Sequence, residues 1–332
     1  MPGPAGRLAA LLVAVTAAVP SGAAADTPRV AKLVAAGDIA CDPKIPPGPS
    51  RCRHAYTAEI VKALDPDVVA TIGDAQSEDG NLATYHASYH LTWGAFRSIT
   101  RPALGNHEYM ASGDRRSAPG HFGYFGERAG PRRGYYTYRL AGWRIVVLNS
   151  GMLDFAKRSP NIRDDCFPVS CARRSRQVRW LRRLMNGLTP NRCVLAYWHH
   201  ARFSSASPGP SQELSHVYRA LYEGNAELAL SAHSHSYERF APMDGAGRLR
   251  RAGVRQFVVG TGGTGRVPVP DRLRRGSEHF DRSRALGVLE LRLRPGRYAF
   301  RFVREDGTTL DDGRGRCHRR PPRREKRLAG RP

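Results

Sequence analysis

Short apolar runs bounded by glycine, proline or aspartate predict strands, and stretches with apolar residues three and four positions apart predict helices. The predicted strands are residues 30–36, 68–72, 135–140, 143–148, 194–198, 228–230, 254–259, 286–293 and 298–303. The predicted helices are 55–64, 82–99, 175–188 and 212–223. In the second of them, Tyr85, Tyr89 and Trp93 lie one turn apart and form its predicted core stripe. Strands alternate with helices early in the chain and form hairpins late, which predicts a mixed α/β domain.

The N-terminal segment has the order of a secretory signal peptide. Arg7 precedes an apolar run over 8–19, and small residues at 23–25 lead to Asp26. The run is too short to cross a bilayer as a permanent helix, so no transmembrane segment is expected. We therefore expect residues 1–25 to be a signal peptide and the protein to be secreted or held in the cell envelope. A buried N-terminal helix is the alternative.

The rest of the chain divides into one large domain and a basic end. No long linker interrupts residues 26–313, which we expect to form the catalytic domain. Residues 314–332 alternate proline and arginine with few apolar residues, which predicts a disordered tail.

The formal net charge is +24, with 53 lysines and arginines against 29 acidic residues. Such a charge attracts phosphate esters, nucleic acids or anionic cell-wall polymers, although a solvated arginine-rich surface would give the same excess. The tail has no interleaved aromatic residues on which bases could stack, so we expect no specific nucleic-acid partner. An anionic cell-wall polymer is the partner predicted for the tail.

The chain has 6 cysteines, and an even number in an exported protein favours disulfides. Pairing of nearest neighbours would join Cys41 to Cys52, Cys166 to Cys171 and Cys193 to Cys317. The spacing does not suit a zinc finger, and the sequence alone leaves the connectivity open.

Five polar clusters share one position, directly after the apolar run of a predicted strand: Gly37-Asp38, Gly73-Asp74, Gly105-Asn106-His107-Glu108, His199-His200 and His233-Ser234-His235. In α/β sheets, ligands bind where the loops after the strands converge. Two aspartates, an asparagine and several histidines suit two borderline divalent or trivalent cations. A carboxylate bridging two metals would let a shared hydroxide attack phosphorus.

In the order and spacing of these clusters, the chain resembles the calcineurin-like metallophosphoesterases, and within them the purple acid phosphatase-like branch. The resemblance runs from about Leu33 to Val303 and includes Gln177–Leu181, which is similar to a helix of that branch. It implies two mixed β-sheets packed face to face and flanked by helices. It also implies a dinuclear, acid phosphatase-like phosphoric ester hydrolase that uses Mn, Zn or Fe to hydrolyse the phosphomonoester of a small phosphorylated substrate.

The resemblance also implies a role for each residue of the clusters. Asp74 would bridge the metals, Asp38 and His235 would complete the first site, and Asn106, His199 and His233 would complete the second. His107 would protonate the leaving group, with Glu108 orienting it. Asn106 and His200 would face the phosphoryl oxygens.

Two positions depart from the family pattern at the first metal site. Ala40 and Ser77 stand where the family has the histidine of Asp-x-His or, in purple enzymes, a tyrosine. Neither usual fourth ligand is present, which weakens the first site and argues against an Fe(III)–tyrosinate. His54 is the residue that could replace it. Ala232 stands for the usual glycine of the last motif.

Several alternatives stay open at this point. A phosphodiesterase or nucleotidase of the same fold is the nearest, and a catalytically weak, anion-binding cell-surface protein is another. Gly260-x-Gly262-x-x-Gly265 matches a dinucleotide fingerprint, but no helix follows, so we expect a tight turn near the site. His86 and His90 have zinc-ligand spacing without an accompanying glutamate, and we expect them to be surface or packing residues.

Overall fold

The computed structural model describes Met1 and residues 30–113, 115–153, 166–189 and 192–318. The predicted signal peptide and residues 319–332 of the predicted tail lie outside the described residues. Both therefore remain predictions. In the described part of the chain, no helix is both long enough and apolar enough to span a bilayer.

Helices and strands alternate through the first two thirds of the described chain, and strands dominate the end. The helices are α1 His54–Leu64, α2 Leu82–Ala87, α3 Pro119–Phe125, α4 Arg176–Asn186 and α5 Ser215–Glu223. The strands are β1 Ala31–Ala36, β2 Val68–Thr71, β3 Tyr136–Leu140, β4 Trp143–Val147, β5 Val194–His200, β6 Leu228–Ala232, β7 Tyr237–Phe240, β8 Arg255–Val259, β9 Ser277–Phe280, β10 Gly287–Arg294, β11 Arg297–Arg304 and β12 Thr309–Arg316.

These strands form two mixed sheets. The five-stranded sheet has the order β12-β11-β10-β1-β2, and the seven-stranded sheet has the order β3-β4-β5-β6-β8-β7-β9. β1 and β2 are parallel, as are β4, β5, β6 and β8, whereas the remaining pairings are antiparallel. The predicted mixed α/β architecture is therefore confirmed.

The two sheets pack face to face over a shared apolar core. The rings of Phe257 on β8 and Phe300 on β11 lie 4.9 Å apart between centroids. On β5, Leu195 and Tyr197 face this core, while the alternate residues face a second core under α4 and α5. Because helices cover the other face of the seven-stranded sheet, its central strands are apolar on both sides, as their continuous apolar runs predict.

The segment predicted as one helix over 82–99 is broken. α2 ends at Ala87, and 3-10 turns over Tyr89–Leu91 and Trp93–Ile99 follow it. The break lies at Ser88, whose hydroxyl donates to the carbonyl of Cys41 at 2.7 Å. The predicted stripe of Tyr85, Tyr89 and Trp93 is nevertheless fully buried, because the 3-10 turns keep these rings on one side.

The strands β7, β9 and β12 were not predicted. β12 continues through Arg314 to Arg316, so the ordered domain extends past the predicted boundary at residue 313. From Asp311 to Arg316 its sequence carries two glycines and four charged residues, and it lacks an apolar alternation. As the edge strand of its sheet, it pairs only with β11 and needs little apolar surface.

Three disulfides join the cysteines in the predicted nearest-neighbour pairing: Cys41–Cys52, Cys166–Cys171 and Cys193–Cys317. The last of them ties the end of β12 to the residue before β5. All six cysteines are paired, which is typical of proteins that fold in an oxidising compartment.

Candidate active site

The polar clusters come together where the two sheets meet. Asp38 follows β1 and Asp74 follows β2 in one sheet, whereas His199 is the penultimate residue of β5 and His233 follows β6 in the other. The apolar residues Pro102, Ala103 and Leu104, which precede the Gly105–Glu108 cluster, do not form a regular strand. They are held beside β2 by a hydrogen bond from the backbone nitrogen of Ala103 to the carbonyl of Thr71, at 2.8 Å. The topology therefore places all five clusters at one edge.

Asp74, His199 and His233 form a compact ligand group. Their nearest ligand atoms all lie within 4.8 Å of one another, and they are the only group of three such residues found among the described residues. His199 Nε2 lies 3.0 Å from Asp74 Oδ2 and 3.2 Å from His233 Nδ1. His199 Nδ1 donates to the carbonyl of Ile72 at 2.9 Å, which orients Nε2 into the group.

Asp38 and His235 lie beside this group as a pair. His235 Nε2 is 3.2 Å from Asp38 Oδ1, and His199 Nε2 is 4.0 Å from the same oxygen. The other oxygen, Asp38 Oδ2, accepts a hydrogen bond from the backbone nitrogen of His233 at 2.8 Å. Through these contacts, Asp38 joins the last histidine cluster to the rest of the site.

The structure supplies no further ligand at the positions where the family pattern is broken. Ala40 is fully buried, and Ser77 Oγ lies 3.5 Å from the hydroxyl of Thr264. His54 Nε2 faces the hydroxyl of Ser88 at 3.4 Å, and burial lowers the pKa of His54 to about 4. Among the described residues, His54 belongs to no group of three metal-ligating side chains, so the expected replacement by His54 gains no support.

The oxygen and nitrogen atoms that the side chains present at this edge fit a metal ion. Asn106 Oδ1 is buried and accepts no hydrogen bond from the described residues, although buried polar atoms are normally paired. Burial lowers the pKa of His199, but the carboxylates of Asp74 and Asp38 raise it to about 10. These buried carboxylates thus attract positive charge strongly, which a divalent cation would provide in place of protons.

The backbone at the ligand positions is unusual. Asp38, Asp74, His233 and His235 all have positive φ, at 57°, 48°, 69° and 26°. Non-glycine residues rarely adopt this conformation, and such strain concentrates at functional sites. Beside Asp74, position 105 accepts only glycine, because a Cβ there would lie 2.1 Å from Asp74 Oδ1.

His107 lies at the rim with its Nε2 directed to the ligand group. Its Nδ1 donates to the carbonyl of Glu78 at 2.8 Å, and its Nε2 lies 3.8 Å from Asp74 Oδ2. Burial lowers the pKa of His107, but the Asp74 carboxylate and the Glu78 carbonyl outweigh it and raise the pKa above its usual value. The side chain is 29% exposed, so a substrate can reach it.

Glu108 does not orient His107 as expected, since the Glu78 carbonyl does so. The Glu108 carboxylate instead accepts hydrogen bonds from the backbone nitrogens of Asp74 and Ala75 at 2.9 Å and of Gly105 at 2.6 Å. It also accepts one from the hydroxyl of Tyr85 at 3.0 Å. The 3-10 turn at His107–Tyr109 directs this side chain back beneath the two loops, so Glu108 connects the loops of Asp74 and Gly105 and does not hold His107.

His200 is fully buried, which favours a packing role over the predicted contact with the phosphoryl group. Its ring lies against that of His233, with centroids 4.2 Å apart. Its Nδ1 lies 2.9 Å from the hydroxyl of Ser150, and its backbone nitrogen donates to the same oxygen at 3.1 Å. His200 therefore supports His233 from behind.

Sequence reasoning missed three of these supporting groups. The Glu78 carbonyl could not be found from side-chain patterns, because the contact is made by the backbone. Ser150 carried a signal, since it follows the predicted strand 143–148 at the same sheet edge. Tyr85 was assigned to the core stripe, and its hydroxyl was the sign of a buried polar partner.

The glycine-rich segment after β8 packs against the first aspartate, as the predicted tight turn near the site requires. A Cβ on Gly260 would lie 2.7 Å from Asp38 Oδ2. Gly262 and Thr264 donate from their backbone nitrogens to the carbonyls of Gly37 and Asp38, at 2.9 and 3.0 Å. This segment therefore packs against the loop of Asp38.

The histidine pair with zinc-ligand spacing lies outside the ligand group. His90 Nδ1 lies 2.9 Å from the hydroxyl of Tyr124.

Several solved structures share this fold. The purple acid phosphatase PPD1 from yellow lupin (Lupinus luteus) seeds matches with a TM-score of 0.63 at 16% identity, over 86% of this chain and 53% of that one. GAP50, described as the anchor in the inner membrane complex of Plasmodium, matches with a TM-score of 0.60 at 10% identity, over 88% and 90%. PhoD matches with a TM-score of 0.57 at 12% identity, over 87% and 70%.

These similarities establish the fold. The chain has the calcineurin-like metallophosphoesterase fold, and it spans about half the length of the lupin structure. No protein-family model matches the sequence, and no curated protein is similar enough to count as a relative.

Proposed function

We propose that the chain is a metal-dependent phosphoesterase that hydrolyses phosphomonoesters. The observation that carries the proposal is the convergence of Asp74, His199 and His233 at the joined edge of the two sheets. Asn106, whose buried Oδ1 accepts no hydrogen bond from the described residues, lies in the loop that binds Asp74 through the backbone nitrogen of His107. Fold similarity to a purple acid phosphatase and to PhoD supports it, since the candidate metal site lies within that fold.

Two metal ions would be held at this edge, with Asp74 as a ligand of both. One would be held by Asp74, Asn106, His199 and His233, and the other by Asp74, Asp38 and His235. When bound, Mn, Zn or Fe would supply Lewis-acid stabilisation of the phosphate oxygens and activation of a water nucleophile.

The side chains of the protein would hold the ligand loops in position and protonate the leaving group. His107 would donate a proton from Nε2 to the leaving oxygen, because the bond from its Nδ1 to the Glu78 carbonyl leaves Nε2 facing the site. Glu108 would hold the loops of Asp74 and Asn106 in register through its bonds to backbone nitrogens. A small phosphorylated molecule is the proposed substrate, and hydrolysis of a phosphodiester or nucleotide is the nearest alternative.

A catalytically weak, anion-binding protein is the second candidate. It is favoured by the missing fourth ligand at Ala40 and Ser77, and by the match to GAP50, which is described as an anchor. We also propose that the protein acts outside the cytoplasm, which the three disulfides support. Binding of a cell-wall polymer by the tail stays a prediction, because residues 319–332 lie outside the described residues.

Turnover of p-nitrophenyl phosphate and bis-p-nitrophenyl phosphate, after chelation and reloading with Mn²⁺, Zn²⁺ or iron, tests the proposal. A metal-dependent rate that is higher on the monoester supports it. A higher rate on the diester would assign the enzyme to the phosphodiesterases. The absence of turnover with every metal, alongside retained binding of phosphate, would favour the anion-binding protein.

A further inference from the structure

A polar cavity lies beside the loop that follows β5, and no residue of the ligand group lines it. It has a volume of about 170 Å³ and is lined by Arg202, Phe203, Gln212, Met243, Ala246, Gly247, Arg274 and Arg275. Three of these residues are arginines, and none carries a carboxylate. We refer to this cavity as the arginine pocket.

Arg202 is the buried wall of the arginine pocket. The residue is 4% exposed, and its guanidinium group stacks 4.5 Å above the ring of Phe203. Its Nη2 makes one long hydrogen bond, 3.5 Å to the carbonyl of Gly245. Its Nε and Nη1 are buried and donate to no group among the described residues. A buried guanidinium with two unused donor nitrogens is costly unless an acceptor binds there.

Nearby acidic groups do not meet this need. The Asp244 carboxylate is occupied by the side chain and backbone nitrogen of Arg248 and by the backbone nitrogen of Ala246, at 2.7, 3.0 and 2.9 Å. Burial is the main cause that lowers the pKa of Arg202; the charge of Arg274 acts in the same direction, whereas Tyr218 and Glu213 act in the opposite one. The pocket therefore keeps an excess of positive charge.

The backbone around Arg202 is held firmly, so the pocket is preformed. Gln256 accepts from the backbone nitrogen of Phe203 at 3.3 Å and donates to its carbonyl at 2.5 Å. Arg274 is held by a bond from its backbone nitrogen to the hydroxyl of Ser205 at 2.8 Å. A site whose hydrogen-bond donors are already fixed loses little side-chain conformational entropy when it binds its ligand.

We propose that the arginine pocket binds a phosphate group or a tetrahedral oxyanion of similar size. A water occupies about 30 Å³, so the pocket has room for an oxyanion with a few waters, and it is smaller than the ~300–1,000 Å³ of sites for drug-sized ligands. The planar guanidinium matches two oxygens of such an anion, and Arg274, Arg275 and Gln212 supply further donors at the mouth. The proposal goes beyond the hydrolytic site and uses none of its residues.

Two sources of this anion can be distinguished by their probes. Inorganic phosphate represents the free ion, and phenylphosphonate represents a phosphate carried by an ester, without being hydrolysed. Binding of both at the pocket identifies it as open to esterified phosphate, and binding of inorganic phosphate alone identifies the free ion as the occupant. Either result supports the site.

Anomalous diffraction from crystals of the full-length, metal-loaded protein soaked in selenate locates the site, and calorimetric titration with phosphate measures its affinity. We expect selenate at the arginine pocket, and about 10–100-fold weaker binding there in Arg202→Gln, because a hydrogen bond to a charged group is lost. Arg97→Gln is the matched control, since Arg97 also lies above an aromatic ring, 5.0 Å from the centre of Tyr124.

If Arg202→Gln fails to fold, Arg274→Gln with Arg275→Gln tests the same site, because both side chains are exposed. An empty pocket in the soaked wild-type crystal would overturn the proposal, as would equal affinity in the variants and the control. Loss of turnover on reloading with metals would count against the proposed hydrolysis alone and leave this result unchanged.

Discussion

Glu108 Oε2 accepts a hydrogen bond from the backbone nitrogen of Asp74 at 2.9 Å. The same oxygen binds the backbone nitrogen of Gly105, so one buried carboxylate connects the loop of the proposed bridging aspartate to the loop of Asn106. A glutamate that is adjacent in sequence to the proposed proton donor thus holds the loops of the proposed metal ligands, while the Glu78 carbonyl holds the imidazole.

We expect Glu108→Gln to weaken metal binding more than it alters the chemistry. The glutamine amide would present N–H groups to backbone donors, so the two loops would separate. Loss of such a supporting contact typically costs about 10–100-fold in metal affinity. Metal titrations of activity should therefore shift to higher concentration, with kcat largely restored at saturation. Tyr85→Phe, which removes only the hydroxyl bond, is the control and should shift less. A loss of kcat that excess metal does not restore would contradict this role.

We expect His107→Ala to act on proton transfer instead. On a poor leaving group, kcat should fall by about 10²–10⁴, the usual contribution of general acid catalysis. On p-nitrophenyl phosphate, whose leaving group needs little protonation, the loss should be smaller, and bound metal should be unchanged. His86→Ala is a matched control, because His86 is exposed and lies on α2, outside the ligand group. Equal losses on both substrates would remove His107 from the role of general acid.

The two proposed metal sites should differ in affinity. Asp74, His199 and His233 converge, and Asn106 is their proposed fourth ligand, whereas the other site has only Asp38, His235 and the shared Asp74. A missing ligand should weaken the first site by at least about the 10–100-fold that a lost supporting contact costs. Exhaustively dialysed protein should therefore retain about one metal per chain by elemental analysis. His199→Ala should lose it and Asp38→Asn should keep it; two firmly held metals in the wild type would show that the first site is complete.

The sequence located the residues of the candidate site better than the contacts that position them. Asp38, Asp74, Asn106 and His199 were identifiable because each stands at the end of an apolar run, and strand topology then brings them together. The partners of His107 and Glu108 are backbone groups, whose positions depend on loop conformation. No spacing of side chains reports that conformation.

The predicted elements failed where tertiary contacts compete with local preference. The apolar period over 82–99 predicts one helix, but the hydroxyl of Ser88 and the side chain of Gln76 draw the backbone away after Ala87. β12 was missed for a different reason. An edge strand that pairs with β11 alone needs no apolar alternation, so its sequence resembles the basic tail that follows.

The stability of the protein should depend on pH through Glu227, far from the proposed chemistry. Burial raises the pKa of Glu227 to about 8, although its carboxylate accepts hydrogen bonds from the backbone nitrogens of Val194 and His318. These two residues directly follow the two cysteines of the Cys193–Cys317 disulfide. A carboxyl whose folded pKa lies above its unfolded value of 4.5 stabilises the fold at low pH, and this stabilisation is lost as pH rises.

Between about pH 4.5 and 8, the free energy of unfolding of the wild type should therefore fall relative to that of Glu227→Gln. Urea unfolding at several pH values measures this difference. Glu223→Gln, an exposed glutamate in α5, is the control and should run parallel to the wild type. A wild-type curve that stays parallel to Glu227→Gln would show that Glu227 does not titrate in this range.

Asp74 is the residue that both proposed metal sites share, so its loss should abolish metal-dependent hydrolysis. The most direct measurement is the metal-dependent rate of p-nitrophenyl phosphate hydrolysis by Asp74→Asn, compared with Asp271→Asn, which changes an exposed aspartate. Metal Lewis acids contribute several kcal/mol to such reactions, so we expect Asp74→Asn to lose about 10³-fold or more in rate at saturating metal. Asp271→Asn should retain the wild-type rate. Wild-type turnover by Asp74→Asn would contradict the proposed site.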